Sequence, residues 1–166
     1  AKAITSGYFP LGAALINERI ATAFESDSSG KAAIGHGYTY SGHPVGAAAA
    51  LAAIAETRRL DVVTNAAARG TQLYDGMVSL AGQYPVVGDV RGGHGLMTAM
   101  ELVADRETKA PIDGKLAIKM QKAAYQAGAL IRVSGPNVIL SPSLVIEEAD
   151  IDIALNAVEE GLKAIS

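Results

Sequence analysis

Starting at Val63, the small or apolar residues Ala66, Gly70, Leu73, Met77 and Leu80 follow at steps of three, four, three, four and three. That spacing winds onto one side of an α-helix and onto no side of a strand, whose side chains repeat every second residue. It predicts a helix that opens at Val62, is stopped by Pro85 and must bury its stripe against other elements. The segment before it reads as a second helix. Pro44 suits a first helical turn, where no N–H is needed, and the alanines that follow carry the helix to about Arg59.

Past Pro85 the pattern changes. Residues 86–90 and 96–103 read as two strands around the turn Gly92-Gly93-His94-Gly95. Asp113 caps a helix on which Leu116, Met120, Ala123 and Ala127 share a face, and Gly128 ends it. Two short strands, 129–133 and 138–140, flank Ser134-Gly135-Pro136-Asn137. A last helix from about Glu147 aligns Ile151, Leu155, Val158, Leu162 and Ile165. Helix, helix, strand, strand, helix, strand, strand, helix makes an α+β domain with a small, largely antiparallel sheet. The first 45 residues differ. Residues 11–16, after Pro10, predict a short buried strand, and Asn17 caps a short helix through Phe24. Residues 26–41, rich in Ser, Gly and Tyr, carry no periodicity, and a loop of that length in a compact domain usually has a job or a partner.

Composition narrows the function classes. At 49% hydrophobic and 19% charged residues, the 166-residue chain is a folded domain and not a solvated linker. A net charge of -3 argues against a nucleic-acid or anionic-membrane partner held by bulk charge. There is no cysteine, hence no thiolate chemistry, and the histidines at 36, 43 and 94 lack a zinc-type spacing, so no metal is expected. The apolar run 45–55 is too short to span a bilayer, and no signal-like segment precedes it, which makes the cytosol the expected location. The start at Ala1 instead of Met suggests a piece of something longer. No nucleophile elbow, phosphate-binding P-loop or paired carboxylate stands out. Arg91-Gly92-Gly93-His94-Gly95 reads as a plain hairpin, with an anion cradle as the alternative. His36, His43 and the charged clusters Asp105-Arg106-Glu107 and Glu159-Glu160 read as structural or solvated.

Four strings in order add a resemblance. The segment from Ala1 to Ala13, AKAITSGYFPLGA, resembles the surroundings of the cofactor lysine in class III aminotransferases, the ω-transaminase branch of the fold-type I pyridoxal-phosphate enzymes. Gly37-Tyr38-Thr39-Tyr40-Ser41-Gly42-His43-Pro44 resembles that family's phosphate-binding segment. Arg91 to Met97 resembles the first strand pair of its small domain, and Ala129-Leu130-Ile131-Arg132 with Leu140 to Ile146 its C-terminal substrate-binding stretch.

The resemblance implies the C-terminal portion of such an enzyme. Residues 1–44 would be the tail of the α/β large domain with an inter-subunit loop, and 45–166 the small α+β domain. It makes Lys2 the residue that bonds pyridoxal 5′-phosphate and then acts as general base. It assigns the cofactor phosphate to the Tyr38 backbone and the Thr39 hydroxyl, reaching into a second subunit's site, while Ser41 and His43 shape the loop. Arg132 would fork a substrate carboxylate, since a planar guanidinium matches it with two parallel hydrogen bonds. Interface packing of Tyr38 and Tyr40 and a surface salt bridge of Arg132 are the alternatives. The implied reaction moves an amino group between an amine or ω-amino acid and a keto acid such as pyruvate, in a homodimer or larger assembly. The ring's nitrogen partner and stacking face would lie in a missing N-terminal part, so the segment alone is expected to be inactive. A glutamate-1-semialdehyde aminomutase-like enzyme, or a non-catalytic α+β dimerisation module, are the rival readings.

Overall fold

A computed structural model describes residues 2–32, 35 and 37–166, so His36 lies outside the described residues. The chain forms two compact units, 1–59 and 60–166.

The first unit holds two helices, α1 (Glu18–Glu25) and α2 (Pro44–Arg59). Asn17 caps α1 as expected: its side-chain oxygen accepts from the Ile20 N–H at 3.1 Å. No residue of α1 is buried, and Ile20 and Phe24, one turn apart, lie on its surface. Helix α2 keeps the bounds its proline and alanines predict. The expected strand at 11–16 does not form; these residues run irregularly and Leu15 is 94% exposed. A buried strand needs hydrogen-bonded neighbours, and the described residues of this unit contain no other strand to supply them.

The second unit is an α+β domain with the largely antiparallel sheet the pattern implies. It runs α3 (Val62–Gln83), β1 (Val87–Arg91), β2 (Thr98–Asp105), β3 (Ala110–Pro111), α4 (Gly114–Gln126), β4 (Arg132–Ser134), β5 (Asn137–Leu140) and α5 (Glu148–Lys163). The sheet order is β1-β2-β5-β4, with β3 paired to β2, and every pairing is antiparallel. One sheet face, carrying Met100, Leu102, Val138 and Leu140, packs with the three helices into a single core. Leu73 and Met77 of α3, Met120 of α4, and Ile151, Val158 and Leu162 of α5 have no exposed surface. Asp113 caps α4 through the Lys115 N–H, and Glu147 with Asp150 forms a capping box at α5.

Two details of phase differ from expectation. Val62, not Val63, is buried in α3, and Ala117 and Ala124 replace Leu116, Ala123 and Ala127 as the buried companions of Met120. The second shift follows from close helix approach: a Cβ on Gly161 of α5 would stand 3.0 Å from the Met120 carbonyl. Only an alanine-lined face of α4 admits a backbone that near.

Candidate functional site

In the first unit the candidate residues lie on two segments joined by aromatic contacts. Lys2 is exposed at the head of a run of turns, and its ammonium has no partner among the described residues. The run tightens at Thr5-Ser6-Gly7-Tyr8, where the Tyr8 N–H donates to the Thr5 carbonyl at 3.0 Å. Ser6 (φ 49°) and Gly7 (φ 83°) are both left-handed, a type I′ turn that favours glycine at its second central position. Thr5 is buried and closes the next turn, its hydroxyl donating to the Phe9 carbonyl at 2.6 Å.

This brace seats Phe9 on the start of α2. A Cβ on Gly46 would come within 2.9 Å of two Phe9 ring carbons, so glycine is what lets the ring lie against the helix. The Phe9 ring stands 5.1 Å from His43, which stands 5.7 Å from Tyr40. His43 shapes the helix entry as expected. Its carbonyl accepts from the Ala47 N–H at 3.1 Å, and its Nδ1 accepts from the Val45 N–H at 3.2 Å. Just before it, the Ser41 N–H donates to the Tyr38 carbonyl and the His43 N–H to the Tyr40 carbonyl, two overlapping turns around Thr39 and Ser41. Thr39 is exposed, and its hydroxyl has no partner among the described residues.

The same long loop contains one strongly organised carboxylate. Asp27 accepts from the Ser29 hydroxyl, the Ala32 N–H and the Ser29 N–H. These donors, the Ser29 hydroxyl foremost, pull its carboxyl down to about 2.

Arg132 belongs to the second unit. It opens β4, which pairs only with β5. Its neighbours Ile131 and Val133 turn toward the core, so Arg132 projects from the opposite, outer face of the sheet. The guanidinium is exposed and forms no ion pair among the described residues; the surface salt bridge weighed as its alternative role is not made. The outer face does hold a built ion cluster that single-residue reading misses. Arg91 Nη1 donates to Asp89 at 2.9 Å and to Glu101 at 2.7 Å, while its Nη2 donates to Asn137 Oδ1 at 2.6 Å. The alternation of Asp89 and Arg91 along one strand was its only sequence signal. The loop after Arg91 links β1 to β2 as a hairpin and rests on α3, Gly95 against Gly70 and Gly93 against Tyr74.

Thus an unpaired amine and an unpaired hydroxyl are placed on braced turns of one unit, and an unpaired guanidinium on a sheet face of the other. In the first unit an exposed amine can bond a carbonyl and a hydroxyl can donate to an anion; in the second, taken by itself, a guanidinium can fork a carboxylate. Among the described residues no group of His, Asp and Glu is placed to hold a metal ion, and no helix is long and apolar enough to cross a membrane.

Comparison with known proteins shows the family. Residues 1–162 match the family described as aminotransferase class-III. An uncharacterized aminotransferase, y4uB, of Sinorhizobium fredii is 37% identical over 99% of this chain and 36% of its own length. Taurine–pyruvate aminotransferase of Bilophila wadsworthia is 34% identical over 99% of this chain and 38% of its own. Among solved structures, an amine transaminase from an uncultivated Pseudomonas species, in its PLP-bound form, superposes with a TM-score of 0.89 at 41% identity. That match covers 98% of this chain and 37% of the other. The chain therefore spans little more than a third of the length of these relatives. By its family match, its relatives and its fold, it belongs to the class III aminotransferases.

Proposed function

We propose that this chain is the C-terminal portion of a pyridoxal-5′-phosphate-dependent transaminase acting between an amine or ω-amino acid and a keto acid such as pyruvate. The observation that carries the reading is the amine of Lys2, without a partner among the described residues, at the head of a run of turns that the Thr5–Phe9 hydrogen bond closes, at the start of a family match that runs to residue 162. The taurine–pyruvate and amine transaminase relatives support the substrate class. When bound, the cofactor supplies an electron sink that acidifies the carbon bearing the amino group.

The chain's own residues do the rest. Lys2 Nζ anchors the cofactor and, once released, takes and returns the substrate proton as a general base. Its exposed position lets it move between the two tasks. The Thr39 hydroxyl and the Tyr38 backbone hold the cofactor phosphate of a second subunit's site. Arg132 Nη1 and Nη2 orient the substrate carboxylate by a two-point fork. The first unit leaves Leu15, Tyr8, Tyr40 and Tyr38 from 94% to 61% exposed, which supports burial of this unit in a homodimer with the rest of the enzyme. In isolation the 166-residue segment is expected to be inactive, because it spans little more than a third of the length of its relatives.

The test is Lys2→Ala in the complete enzyme. Turnover should vanish while the folded dimer persists, since an exposed lysine contributes little to packing. Transamination at a rate comparable with wild type would refute the assignment.

A further inference from the structure

We infer that Arg91 is a positioning residue for Arg132, acting through Asn137 and the β4–β5 hairpin; this rests on the carboxylate-binding role proposed for Arg132. β4 has three residues and one hydrogen-bonded neighbour, so the place of Arg132 depends on how firmly β5 and the turn hold it. The turn is a two-residue loop between Ser134 and Asn137, with Gly135 left-handed at φ 58° and Pro136 after it, a type II′ arrangement. Asn137 closes that turn and opens β5, and its side chain lies on the outer face with Arg132.

Arg91 fastens this corner to the rest of the sheet. Asp89 and Glu101 are cross-strand partners, an unfavourable pairing of like charges that the guanidinium between them offsets. With Nη1 held by both carboxylates, Nη2 reaches over β2 to Asn137 at 2.6 Å. One side chain thereby ties β1, β2 and β5 on a single face. Arg91 is not itself placed to bind substrate beside Arg132. The register puts Arg91, Ala99, Ile139 and Arg132 in one cross-strand row, three strand spacings or ~14 Å from end to end. Its two terminal nitrogens are also already engaged, with Asp89, Glu101 and Asn137.

The experiment compares Arg91→Met, Asn137→Ala, Arg132→Ala and the Arg91→Met/Arg132→Ala double variant in the complete enzyme. Each is measured with pyruvate and, separately, with an uncharged arylalkyl amine. Arg91→Met and Asn137→Ala should each raise the KM for pyruvate about fivefold to tenfold, since both lose the charge-assisted Arg91–Asn137 hydrogen bond, with kcat and the amine half-reaction within twofold of wild type. The penalty should disappear in the Arg132→Ala background. Independently of activity, amide exchange across β4 and β5 should quicken in both variants, while exchange in α3 and α5 stays unchanged. A silent Asn137→Ala, equal damage to both half-reactions by Arg91→Met, or a penalty that persists without Arg132 would each overturn the inference alone. An Arg132→Ala enzyme that loses both half-reactions equally would instead overturn the carboxylate role of Arg132, and the inference with it.

Discussion

Gly70→Ala on α3 should destabilise the chain by about 1–2 kcal/mol, against the ordinary benefit of alanine in a helix. A Cβ at Gly70 would stand 2.3 Å from the Gly95 carbonyl oxygen and 2.5 Å from its carbon. An ordinary contact begins near 3.4 Å, so the hairpin loop and the helix must part by about 1 Å. The obstacle is backbone and has no rotamer to change. Moving α3 instead would loosen Leu73 and Met77, which have no exposed surface. Overpacking of this kind costs about 1–3 kcal/mol, and the intrinsic preference for alanine returns about 0.5–1 kcal/mol. The control is Gly76→Ala on the same helix. Its Cβ would also meet an atom at 2.3 Å, but that atom is Cδ1 of Leu155, a half-buried side chain that can turn away. Urea unfolding followed by helical circular dichroism should rank Gly70→Ala as the less stable of the two by about 1 kcal/mol. Equal midpoints, or a stabilised Gly70→Ala, would refute the reasoning that backbone contact decides the cost.

Three further outcomes follow from other contacts. Arg106 donates to the carbonyls of Val87 (2.9 Å), Ala81 (2.6 Å) and Tyr84 (3.1 Å), capping the end of α3, so Arg106→Met should lower the urea midpoint by the equivalent of about 1–3 kcal/mol, with Arg106→Lys in between. Asp27 has a carboxyl lowered from 3.8 to about 2; its contribution to loop order is complete above about pH 4 and is lost as pH falls through 2, which titration of the carboxyl by NMR should show, and an unshifted titration would contradict the hydrogen bonds. Thr39→Ala in the complete enzyme should weaken retention of pyridoxal 5′-phosphate by about 1.5–3 kcal/mol in equilibrium dialysis, and unchanged retention would remove Thr39 from the phosphate site.

The helices of both units were legible because their signals are local. Pro44 and the alanines after it, Asn17, Asp113 and Glu147 each mark a helix start by chemistry that needs no knowledge of the fold. Phase was less legible where neighbours are equally apolar. Val62 and Val63 both fit the stripe of α3, and only packing chooses the first. The strand expected at 11–16 failed for a different reason: an apolar run states a need for neighbours and does not provide them. Arg106 looked like part of a solvated charge run because its partners are main-chain carbonyls, to which residue types give no clue. For the site, motif resemblance pointed to Lys2, Thr39 and Arg132, whereas the Phe9–Gly46 seat and the Arg91 cluster needed coordinates.

The brevity of β4 has a consequence for crowding. An open sheet invites a neighbouring molecule to zip onto its free rim, which is a common route into insoluble aggregates. Here one rim offers only Arg132–Ser134 and runs straight into a turn whose Pro136 has no N–H to donate. The other rim, β1, breaks register between Val87 and Asp89 and bears the charges of Asp89 and Arg91. Neither side templates a further strand. A short, proline-bounded rim on one side and a bulged, charged rim on the other make this sheet a poor template for strand-to-strand aggregation.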